Sequence, residues 1–231
     1  MEVIENKPER LILKLEISEF LANAIRRSVS EVPILAIDEV EIYKNDSALY
    51  DEVLAHRLGL VPLVTEKSMT AKTKIDLKLT KEGPGTVYSK DLKGGAEVIY
   101  GDIPITLLGE GHKLELVATA TLGKGVDHAK YLPGLCYYRH LLEVKSNPEI
   151  DKLVQKSKSL ISPEKSSGKW LCDLQEAIVD DILKIEKDAV KDSSEILFVI
   201  ESYGNLTAKD IFTKAISALE DNLDELEKAL K

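Results

Sequence analysis

The sequence predicts an α+β protein in which one discontinuous domain is interrupted by an insertion. Two observations lead there. The chain opens with a strand–helix–strand pattern and closes with a strand–helix pattern of the same kind. Between them, from Asp46 to about Leu122, it changes to short strands punctuated by glycine turns. A pattern resumed after such an interval is that of a domain carrying an insert.

Taken in order, "RLILKLEIS" alternates Leu11, Leu13, Leu15 and Ile17 with Ile12, Lys14 and Glu16, the period of a half-buried strand. Ser18 is placed to cap the next helix, in which Leu21, Ile25, Val29 and Val32 share one face. Pro33 ends it, because a proline drives the preceding residue out of the α region. "ILAIDEVEIY" reads as a strand, as do "KIDLKL" and "KLELVATATL" further on. Two amphipathic helices are predicted at 148–161, capped by Asn147, and at 170–186, with "SPEKSSGK" as the loop between them. "SEILFVIES" is a strongly apolar strand, "YGN" a turn, and "TAKD" a capping box that opens the last helix at Thr207. Along that helix Phe212, Ile216, Leu219, Leu223, Leu226 and Leu230 are spaced 4-3-4-3-4, a heptad seam rather than the broad stripe of a helix on a sheet.

Composition narrows the function. The 231 residues are 44% hydrophobic and 31% charged, the balance of a soluble globular protein. No stretch has the ~18 consecutive apolar residues of a membrane span. The start, "MEVIENKPER", is too charged for a signal peptide, so a cytoplasmic protein is expected. A net charge of −9 argues against direct nucleic-acid contact, since phosphates call for a basic surface.

The search for chemistry returns little. No phosphate-cradling glycine loop and no nucleophile elbow occurs. Glu52 and His56 have the i, i+4 spacing of two metal ligands, but a third is missing and an ion pair or cap is the plainer reading. Asp127 and His128 sit in an ordered loop, more often a contact surface than a catalytic centre. Cys136 and Cys172 are too few for a zinc or iron–sulfur site. What stands out is a helix with Asn23, Arg26 and Arg27 on its polar side. A solvated face and a docking surface both fit these residues. Arginine is common at interfaces because its planar fork binds carboxylates in pairs.

The stretch "FLANAIRRSVSEVPILAIDEVEIYKNDSALYDEVLAHRLGLVPL" resembles the N-terminal signature of the archaeal RNA polymerase D subunits, relatives of the eukaryotic third-largest polymerase II subunit and the bacterial alpha subunit. "GPGTVYSKDL", "GDIPITLLGEGHKLELVATATLGKGVDHAKYLPG" and "ESYGNLTAKDIFTKAISALEDNLDELE" continue the likeness, which is poorest over 141–193. The resemblance implies a non-catalytic assembly platform without catalytic residues of its own. Its dimerisation domain (an antiparallel sheet with two helices) would comprise 1–45 and 191–231, around an insert at 46–190.

The ridge of Phe212, Ile216, Leu219, Leu223, Leu226 and Leu230 runs beyond any obvious cover within the chain and calls for a second chain. The resemblance names that chain as subunit L, and implies that the pair joins small subunits N and P and recruits the second-largest catalytic subunit. Asn23, Arg26 and Arg27 fall where the large subunit docks. Many relatives hold an iron–sulfur cluster on four cysteines of a ferredoxin-like part of the insert. Here only Cys136 and Cys172 remain, so residues 135–186 are expected to be a small, helical, cluster-free remnant and no cofactor is expected. The rival reading is an iron–sulfur or other metal-binding redox protein built on the insert.

Overall fold

Alternation in "RLILKL" buries Leu11, Leu13 and Leu15, and Ile12 between them is also buried, so this strand is covered on both faces. The computed structural model describes residues 1–231. It opens with β1 (Glu2–Asn6), β2 (Arg10–Leu15) and α1 (Glu19–Ser28), followed by a single 3-10 turn at Val29–Glu31. Next come β3 (Ile34–Asn45), α2 (Asp51–Gly59), β4 (Lys74–Glu82), β5 (Gly85–Tyr88), β6 (Lys93–Gly94), β7 (Pro104–Leu108) and β8 (Lys113–Gly123). Then follow β9 (Gly134–Lys145), α3 (Pro148–Lys156), β10 (Glu164–Ser166), β11 (Lys169–Cys172), α4 (Glu176–Ile185), β12 (Val190–Ser202) and α5 (Ala208–Ala229). The class is α+β, as the sequence predicts, with antiparallel strand pairing and five helices.

The chain divides into two compact units. The first comprises Met1–Asn6, Leu11–Arg26 and Cys136–Val199, and the second Lys7–Arg10, Arg27–Leu135 and Ile200–Lys231. The stretch 46–190, expected to form one insert, is thereby shared: its residues up to Leu135 lie in the second unit and the remainder in the first.

The first unit is built on a six-stranded sheet in the order β1-β2-β12-β9-β11-β10. Ile12, Leu141, Leu197 and Val199 form one apolar cluster on it. A second cluster joins Val144, Trp170 and Cys172 of the sheet to Ile150 and Val154 of α3 and Ile182 of α4. Asn147 caps α3 as predicted, its side-chain oxygen accepting from the amides of Glu149 and Ile150 at 3.0 and 2.8 Å.

Two helix predictions need correction here. The helix expected at 148–161 stops at Lys156. The one expected at 170–186 begins only at Glu176, because Lys169–Cys172 is strand β11, paired antiparallel with β9 from Lys169 against Lys145 to Cys172 against Leu142. The predicted loop "SPEKSSGK" supplies the rest of a hairpin. β10 turns into β11 through Ser167 and Gly168, both at positive φ (50° and 79°), which suits a two-residue turn between twisted strands.

The second unit has a four-stranded sheet, β3-β8-β4-β6, and a separate pair, β5-β7. β8 lies between β3 and β4, and its alternation buries Leu114, Leu116, Ala118 and Ala120. These side chains meet Leu77 and Leu79 of β4, Leu54 and Leu58 of α2, and Ile105 and Leu108 of β7. Burying a leucine of this kind stabilises a fold by about 1.5–3 kcal/mol, so this core holds α2 and the β5-β7 pair to the sheet.

Candidate functional site

Helix α1 starts at Ser18, whose hydroxyl accepts from the amide of Leu21 at 3.3 Å, the cap the sequence predicts. Its first turn is tied down by Glu19, which bonds Nε2 of His140 at 2.8 Å, while Nδ1 of the same ring meets the Ser193 carbonyl at 2.8 Å. Both partners are acceptors, so the fully satisfied ring is the imidazolium. The Glu19 carboxylate accordingly raises the His140 pKa above its ordinary value.

The buried stripe of this segment is Ala22, Ile25, Val29 and Val32. Leu21, expected on that face, is exposed instead; Ala22 takes the buried position and restores a 3-4-3 spacing. On the polar side Arg26 directs Nε and Nη2 onto the single Oδ1 of Asn23, at 3.1 and 3.0 Å. The mid-helix asparagine is therefore a clamp that holds the guanidinium along the helix. Nη1 makes no hydrogen bond within the chain. Arg27, the next residue, is also exposed, and the division between the two units falls between the arginines.

Phe20 is 89% exposed, three residues before Asn23 and seven before Arg27. It therefore shares their side of the helix. In the sequence its only signal is an aromatic at helical spacing from them, off the apolar stripe.

Helix α5 is reached through the turn "YGN", where Gly204 sits at φ 100° and Ile99 presses close enough to leave no room for a side chain. Asn205 behind it is buried and doubly bound. Its Nδ2 donates to the Leu63 carbonyl at 2.8 Å, and its own carbonyl accepts from the Thr65 amide at 3.1 Å. Thr65 in turn accepts from the amide of Leu35 at 3.0 Å. Thr207 caps the helix, its hydroxyl accepting from the Asp210 amide at 3.1 Å and donating to the Asp210 carboxylate at 2.8 Å.

The face of α5 buried in the chain is Ala208, Ile211 and Ala215, packed toward the turn at Val29–Glu31. The six seam residues lie beside that face. Phe212, Ile216 and Leu219 are half-buried, whereas Leu223, Leu226 and Leu230 are 56%, 57% and 79% exposed.

The other residues with chemical potential have structural partners or none. His128 caps the 3-10 turn at 129–131, its Nδ1 accepting from the Lys130 amide at 3.1 Å. Glu52 and His56 lie on α2 with no hydrogen bond or ion pair to one another. No group of three or more His, Cys, Asp or Glu is arranged to hold a metal.

Both cysteines are free thiols, Cys136 partly buried and Cys172 buried. Burial pushes both thiols up to about 12, with Arg26 opposing the shift weakly at Cys136 and Asp173 adding to it at Cys172. Cys172 lies inside the apolar core of the first unit.

Comparison with known proteins defines the class first. Residues 40–134 match the family described as RNA polymerase Rpb3/RpoA insert domain, which covers β3 in part and everything after it through β8. The whole chain then identifies the family within that class. It is 34% identical to DNA-directed RNA polymerase subunit Rpo3 of Pyrococcus horikoshii over 97% of this chain and 95% of that protein. It is 34% identical to the same subunit of Thermococcus kodakarensis over 94% and 92%. With the Methanocaldococcus jannaschii subunit identity is 43%, over 58% of this chain and 71% of that one. The chain belongs to the archaeal Rpo3 family of DNA-directed RNA polymerase subunits, the family its sequence resembles. No helix is long and apolar enough to cross a membrane.

Proposed function

We propose that the chain is a non-catalytic assembly platform of a cytoplasmic DNA-directed RNA polymerase. In this reading the seam of α5 binds subunit L, and the pair takes up the small subunits N and P. Helix α1, through Asn23, Arg26, Arg27 and the exposed Phe20, then docks the second-largest catalytic subunit. The platform works without a metal cluster and without touching nucleic acid; a net charge of −9 is unsuited to phosphate.

The observation that carries the reading is the free half of α5. Three leucines in heptad register stand mostly exposed on a helix whose first half is anchored in its own chain. Leucines at this spacing form an apolar ridge that calls for cover by another chain.

The test is titration of purified subunit L into the chain and into its Leu226→Asp/Leu230→Asp variant. Burying two leucines is worth about 3 kcal/mol or more, so the variant should bind at least a hundredfold more weakly. An unchanged dissociation constant overturns the assignment.

A further inference from the structure

The free half of α5 carries its charge unevenly. When the seam alternates Ile216, Leu223, Leu230 with Leu219, Leu226, the residues flanking it on one side are Glu220 and Glu227, one heptad apart. The flank on the other side is uncharged, Asn222 and Ala229. Asp224 stands behind the acidic flank, and all five of these residues are exposed. Glu220 and Asp224 have no ion-pair partner in the chain. Glu227 is met only by Lys231 one turn on, at 2.6 Å and on an open surface, an interaction that competes poorly with a cation brought by a partner.

We infer that the surface covering α5 beyond Leu219 is a helix whose own apolar ridge is bordered by lysine or arginine facing Glu220 and Glu227. The inference rests on the reading of this seam as the subunit-L interface and specifies the chemistry of that partner. Charges beside a heptad seam select the partner and its orientation.

A second copy of this chain is a poor occupant in either direction. Antiparallel, the acidic flank faces itself, Glu220 against Glu227 of the other copy. Parallel, it faces Asn222 and Ala229, which offer no charge. Lys228 lies on the far side of the helix, and Lys231 stands behind the acidic flank rather than on the uncharged one. The acidic border therefore steers the ridge away from self-association.

The experiment titrates subunit L into the full chain and into Glu220→Lys/Glu227→Lys, at about 50 mM and about 500 mM NaCl, where screening of exposed pairs differs strongly. Reversal should weaken binding by at least tenfold at low salt, with the gap closing at high salt. Glu220→Gln/Glu227→Gln should fall between, and keeps the test open if the lysine variant misfolds. Binding by the reversed chain as tight as, or tighter than, that of the unaltered one overturns the inference. If Leu226→Asp/Leu230→Asp abolishes binding while charge reversal leaves it unchanged, the charge inference alone fails. If the unaltered chain does not bind subunit L, the seam reading fails and takes this one with it.

Discussion

Arg26 places two nitrogens, at 3.1 and 3.0 Å, on one side-chain oxygen of Asn23. Asparagine costs an exposed helix about 0.5 kcal/mol relative to alanine, and an exposed hydrogen bond returns roughly as much. The two nearly cancel, so Asn23→Ala should leave the melting temperature almost unchanged. Its effect should fall on docking, because the guanidinium loses its fixed direction. Arg26→Glu/Arg27→Glu should go further, keeping the pair with subunit L intact while blocking recruitment of the second-largest subunit. Size-exclusion chromatography of reconstituted subunits reads both steps. Normal assembly by the double variant would return these arginines to a merely solvated face.

The two halves of α5 should respond oppositely to substitution. Ile211 is fully buried within the chain, and Ile211→Ala should destabilise the isolated protein by about 2–5 kcal/mol in urea unfolding. Leu226→Asp/Leu230→Asp should shift the same midpoint by no more than about 0.5 kcal/mol, as surface changes do. Leu219→Asp/Leu223→Asp should fall between, since only Leu219 is half-buried. Equal losses from the two halves would mean that the free half is covered by this chain after all.

The His140 bonds make the tie at the start of α1 sensitive to pH. Its folded pKa is raised above the ordinary value of 6.5, chiefly by Glu19. The stabilisation is therefore complete below about pH 6.5 and lost as pH rises through the folded pKa. Glu19→Gln should melt at a lower temperature than the unaltered chain at about pH 6, and the difference should vanish near pH 9. A gap of equal size at both values would show that the imidazolium is not involved.

Trp170 is the chain's single tryptophan and reports on the hairpin of β10 and β11. Its Nε1 donates to Asp151 at 2.7 Å, and Lys165 and Ser146 bind the same carboxylate, which lowers its pKa to about 2. With the folded value depressed, the contribution is present above the usual carboxylate range and is lost as pH falls toward 2. Acid titration followed by tryptophan fluorescence should show a change between about pH 4 and pH 2 that Asp151→Asn removes. Identical curves for the two proteins would leave Asp151 without a role there.

The features legible in the sequence were those written locally. Ser18, Asn147 and Thr207 announce helix starts because a cap is made within three residues, and all three cap as read. Alternation in β2 and β8 shows directly as burial. β11 was read as helix because what makes it a strand is pairing with β9, some 25 residues earlier, which leaves no local trace. On α5 the large side chains drew attention to the seam, whereas the chain's own packing uses Ala208, Ile211 and Ala215. Small residues give no periodic signal, yet they allow the close approach that buries a helix completely. The polar pair of α1 was visible, but the direction of Arg26 needed the geometry of Asn23, and Phe20 needed its exposure.

The bonds around Asn205 bear on how quickly a partner can be captured. Because the Leu63 carbonyl, the Thr65 amide and the Leu35 amide fix the root of α5, the helix holds one heading at its base before any encounter. A partner then meets a prepared rod rather than a strand that must coil and search. The entropy of forming that structure is spent during folding, so association has only side chains left to order. Weakening the root, for instance with Asn205→Ala, would slow capture without altering a single atom of the surface that makes it.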